Sequence, residues 1–90
     1  MINPDDILDM TSLTRDEIAA VAEHEHLGEV DAARLSEALM SHRGGAHRVE
    51  QMISDDIRAA LHAGDLPHAR NLYATLKAFL AEHPEAARGG

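Results

Sequence analysis

Cysteine and tryptophan are absent from this 90-residue chain, which holds one Phe, one Tyr and three Pro. Without cysteine there can be no disulfide framework, no thiolate nucleophile and no cysteine-ligated zinc or iron–sulfur site. The scarcity of aromatics removes the side chains that bury the most area, and 16 of the apolar residues are alanine. A core of that kind is marginal for a monomer of this length. Burying a face against a second copy would relieve it, so a homo-oligomer is expected. Long apolar runs are also missing: none approaches the roughly 18 residues of a membrane span. The stretch MINPDDILDM has neither a basic leader nor an apolar h-region, so no signal peptide is read there and a cytoplasmic protein is expected.

Basic residues are few. Eight Lys and Arg face 16 Asp and Glu, for a net charge of −8. The imbalance is uneven, with ten acids against three arginines in residues 1–45 and six acids against five bases in residues 46–90. Such an acidic half repels phosphate backbones and anionic lipids, so neither nucleic acid nor membrane is an expected partner. A protein with a basic surface is, and so is a cation.

The usual catalytic signatures are missing as well. No Gly-x-Ser-x-Gly elbow, phosphate-binding glycine loop, dinucleotide fingerprint or His-Glu-x-x-His motif occurs. The run HRGGAH at 42–47 has paired glycines but no following Lys or Ser to cradle phosphate, and it reads as a helix stop. No catalytic residues are assigned, and the chain is expected not to be an enzyme.

What is present is helical punctuation. Asn3-Pro4-Asp5-Asp6 suits the start of a short helix through about Met10. Thr14-Arg15-Asp16-Glu17 is a capping box that opens a helix from Arg15 to about His26, with Gly28 as its left-handed stop. Asp31 can cap a second helix running to about Arg43 before Gly44-Gly45. A third helix spans His47 to Ala63, and Gly64 ends it. Asp65 caps a fourth, with Pro67 in its first turn and Pro84 beyond its end near Glu82. No segment shows strand alternation. The expected fold is all-α: a small four-helix domain over residues 1–84, with a short extra N-terminal helix, a C-terminal antiparallel hairpin and a flexible tail at 85–90.

Wound at 100° per residue, the fourth helix gathers Ala69, Leu72, Tyr73, Leu76, Phe79, Leu80 and His83 on one stripe. The third gathers Val49, Met52, Ile53, Ile57 and Ala60. The second gathers Ala32, Leu35, Ala38 and Leu39, and the first Ile18, Val21 and Ala22. The last hairpin resembles a tetratricopeptide unit in the relative spacing of Gly64, Leu66, Ala69 and Tyr73. No second copy lies upstream, and such arrays need stacked repeats, so the likeness is to a helical hairpin rather than to a family.

The most distinctive chemistry is Glu23-His24-Glu25-His26. Glu23 and His26 have the Glu-x-x-His spacing by which ferritin-like bundles hold metal from one helix face. The winding puts both on the flank of their helix, and no second such pair occurs, so a metal site would need oligomerisation. His62 and His68 flank the last turn near Asp65 and could approach each other as a surface site. Glu23, His26, His62 and His68 are therefore the candidate ligands, for zinc, nickel or iron. Asp56 lies amid the apolar stripe of the third helix, where it should find an arginine or a helix N-terminus. His47 could meet His83. The reading favoured by the charge and the missing motifs is a protein–protein interaction or oligomerisation module needing no cofactor. Its expected partner contacts are Asp16, Glu17, Glu23, Glu25 and Glu29.

Overall fold

The computed structural model describes residues 12–88. The expected helix before Met10 lies outside them. Within that span the protein is all-α, with α1 (Arg15–Glu25), α2 (Glu29–Met40), α3 (Gly45–His62), α4 (Leu66–Glu82) and a closing 3-10 turn, η1 (Pro84–Arg88). The capping box forms as expected. Glu17 N–H donates to Thr14 Oγ1 (3.2 Å), and Thr14 N–H donates to Glu17 Oε1 (2.8 Å).

The first turn departs from expectation. His26, not Gly28, takes the left-handed conformation (φ 57°), while Gly28 is extended and stands as the N-cap of α2. Two backbone N–H groups, of His26 and Leu27, then close onto the Ala22 carbonyl. Asp31 accordingly sits inside the first turn of α2, where it and Glu29 favour the positive helix end. A left-handed non-glycine residue is strained by roughly 1 kcal/mol. His26→Gly is therefore expected to stabilise the protein by about 0.5–1 kcal/mol, after the glycine's greater unfolded entropy is offset. Urea denaturation checks this, and a loss of stability would mean the His26 ring holds the turn.

Helix α2 stops three residues early. Its terminal carbonyls are taken by side chains: Ser41 Oγ donates to Ala38 O (2.9 Å), and His42 Nδ1 lies 2.6 Å from the same oxygen. Gly44 then turns left-handed (φ 80°) and Gly45 begins α3, two residues ahead of His47. At the next link Gly64 (φ 74°) lets its own N–H reach Leu61 O and that of Asp65 reach Ala60 O. Asp65 caps α4 through the His68 N–H. A link of three residues folds α4 back on α3, and these two helices share the most extensive interface.

The core collects Ile18 and Val21 from α1, Val49, Met52 and Ile53 from α3, and Leu72 and Phe79 from α4. Seven alanines, among them Ala32, Ala33 and Ala60, fill the remaining buried apolar positions with Leu13. Two stripes are turned from their expected setting. In α2 the buried face is Ala32, Ala33 and Ser36 while Ala38 is exposed, and Ser36 Oγ satisfies itself on Ala32 O (2.7 Å). In α4 Tyr73 is 57% exposed, its ring lying under the Lys77 ammonium. Of the tail expected at 85–90, residues as far as Arg88 belong to η1. Ala86 is fully buried, and its carbonyl lies 2.7 Å from His47 Nδ1, so His47 meets η1 rather than His83. The His83 ring packs instead on Phe79.

Candidate functional site

The polar chemistry of the sequence converges where the C-terminal half of α1 meets α3 and the start of α4. The capping box fixes the rotation of α1. With Ile18 and Val21 inward, Glu23 is directed toward α4 and His24 toward α3. Glu23 Oε1 lies 2.5 Å from His68 Nε2. His24 has a carboxylate at each ring nitrogen: Glu25 Oε2 at 2.8 Å from Nδ1 and Asp55 Oδ2 at 3.3 Å from Nε2. Asp55 is also bound by the Arg58 guanidinium one turn on.

Beneath these pairs lies Asp56, 5% exposed. The nearby Arg58 points to Asp55, and among the described residues Asp56 Oδ2 is buried with no hydrogen-bond partner. Burial first, and then the neighbouring charges of Glu23 and Asp55, push its carboxyl up to about 7 against the opposing pull of His24 and His68. Burial alone would lower the His24 pKa. Its hydrogen bonds to Glu25 and Asp55, with the charges of Asp56 and Glu25, outweigh that and raise it. Asp55 is held below the usual carboxylate range by its hydrogen bonds from Arg58 and His24.

Beside this junction a groove of about 590 Å³ runs between α1 and α4. Ala19, Ala20, Ala74 and Ala78 keep it open because their side chains are short, and Asp16, Glu23 and His68 stand along it. The helices on either side touch each other far less than α3 and α4 do.

The sequence-derived candidates divide accordingly. Asp16, Glu23, Glu25 and Glu29 are exposed, as a partner surface requires. Glu17 is not: it is 1% exposed and its carboxylate is committed to the cap, so it is withdrawn as a partner contact. The capping geometry that announces the helix also turns this side chain inward. Of the candidate metal ligands, Glu23 and His68 meet, but they bond to each other. His26 is exposed at the left-handed turn and His62 on the last turn of α3, with no bond to His68. Among the described residues no group of three or more His, Asp or Glu side chains is placed to hold a metal ion. Within one chain Glu23 faces α4 while His26 stands at the left-handed turn beyond the helix. His24 and Asp55 were not anticipated. A hint was available in the Glu-His-Glu alternation, but the Asp55 contact spans 31 residues and leaves no local trace.

Comparison of the chain with protein-family models, with curated proteins and with solved structures found no match. Among the described residues no helix is long and apolar enough to cross a membrane.

Proposed function

We propose that the protein is a non-enzymatic interaction module whose α1–α4 groove receives a basic amphipathic helix of a partner protein. The groove itself carries the reading. A trough between two helices with alanines along both sides leaves room for a third helix to approach closely, the packing used when an amphipathic helix lies in an apolar groove. Its charge selects the partner. Asp16 and Glu23 line it, Glu25 and Glu29 stand close in sequence on the exposed surface, and the chain as a whole is at −8. Basic residues on the flanks of the incoming helix would meet these acids. Their contribution would be chiefly to encounter rate and selectivity, while burial along the alanines supplies affinity.

A panel of basic amphipathic peptides of about 18 residues, long enough for some five helical turns, tests this by fluorescence anisotropy. At least one is expected to bind, with affinity falling as salt rises. Ala78→Trp, which fills the groove from an exposed position, should weaken that binding about tenfold or more, and the Asp16→Lys/Glu29→Lys double variant several-fold. If every peptide is silent, or if Ala78→Trp binds as well as the parent, the groove is not a docking site.

A further inference from the structure

The bridge made by His24 has a property that the groove alone does not reveal. His24 places a carboxylate oxygen at each of its ring nitrogens. Carboxylates accept and do not donate, so both nitrogens must carry hydrogen, which only the imidazolium does. A neutral His24 has one N–H and must release either Glu25 or Asp55. The Asp55 bond is the one that ties α1 to α3. His68 ties α1 to α4 through Glu23, 2.5 Å from Nε2 to Oε1. Beneath the same junction sits Asp56, buried and, among the described residues, lacking a partner at Oδ2.

We propose that this junction is a proton-operated latch that fastens the C-terminal half of α1 to α3 while His24 is charged, and releases it when His24 loses its proton. The groups facing Asp56 are Glu23 and His24 from α1, Asp55 from its own helix and His68 from α4. With His24 protonated, its cation lies between Glu25 and Asp55, beside Asp56. With His24 neutral and Asp56 charged, Glu23, Asp55 and Asp56 stand as neighbouring like charges, with Arg58 on Asp55. Burial pushes the Asp56 carboxyl up to about 7, and its carboxylate partners push the His24 imidazole up as well. Helix α1 is the element that yields: α3 and α4 are held by the most extensive interface in the fold, whereas α1 meets α2 and α3 through smaller ones and α4 only lightly across the groove.

The latch stands on the junction's own geometry. Only its consequence, a groove that widens as pH rises, rests on the docking reading given above. Its test accordingly uses the full chain without any peptide. Amide hydrogen exchange, corrected for intrinsic rates, is measured at pH 5.5 and 8 for α1 and α3. Protection of the amides from Val21 to Glu25 is expected to fall about tenfold more than that of α3, the mark of a local opening rather than global loss. In a His24→Gln variant, whose side chain carries no charge at either pH, that excess should shrink severalfold, leaving the share that Asp56 contributes. Glu23→Gln, which removes one like charge beside Asp56, should reduce it. Equal losses in α1 and α3 would overturn the latch, as would an excess that His24→Gln leaves undiminished.

Discussion

Asparagine in place of Asp56 should make the protein more stable at pH 8, by about 2–4 kcal/mol, while changing it by no more than about 1 kcal/mol at pH 5. The carboxyl titrates at about 7 in the fold against 3.8 as its ordinary value. Between those values the folded state keeps a proton that the unfolded chain has lost, so stability falls as pH rises through this window and levels off above about 7. Three pKa units correspond to roughly 4 kcal/mol. The amide removes the ionisation, but it leaves a buried N–H₂ to satisfy, which offsets part of the gain. His24 acts in the same direction: its raised pKa contributes stability that is present below about 6.5 and lost as pH climbs past the folded value. Asp55 acts oppositely, contributing above its ordinary 3.8 and losing that contribution in stronger acid. The stability maximum is therefore expected on the acid side of neutrality. Denaturant titrations of both proteins at the two pH values decide the matter. If D56N is the weaker protein at pH 8, Asp56 is ionised there and held by a cation.

The second large effect is steric. Gly45→Ala should destabilise by about 2–4 kcal/mol, comparable to severe overpacking in a core. A Cβ there would lie 1.5 Å from the Leu39 carbonyl oxygen and 2.4 Å from its carbon. The obstacle is backbone, so no rotamer change relieves it, and the α2–α3 corner itself must move. Thermal melting reads the loss directly. Gly28 makes the contrast: its conformation is extended and nothing lies within 4 Å of an added Cβ. Near-parental melting of G45A would mean that the corner is far more pliable than its geometry implies.

The helices were legible because their ends are chemically marked. Thr14 with Glu17, Asp65 with Pro67, and Gly64 each act within one turn of chain, and each does in the fold what its residue type suggests. Winding angles also placed Glu23 on a flank and Asp56 inward. The errors arose where a choice between neighbours depends on the next helix. Gly28 or His26 could end α1, and what selects His26 is how soon α2 must begin. Tyr73 and Ala38 sit at stripe edges, where a small rotation of the helix decides exposure. The junction was the least readable part. The Glu23–His68 pair spans 45 residues, and the expectation of an arginine for Asp56 followed a sound rule that this fold does not obey. A rule about buried carboxylates says what such a group needs, not whether the surrounding helices deliver it.

The alanine content of the interior has a consequence for how this molecule tolerates change. Where Ala32, Ala33, Ala46, Ala60, Ala69 and Ala86 meet their neighbours, backbones rather than long side chains set the spacing between elements. Such an interior has few methylenes to lose, so truncation is a minor hazard over much of it. Growth is the major one: each extra carbon must wedge two main chains apart. Crowding, more than hollowing, is the way this structure would fail.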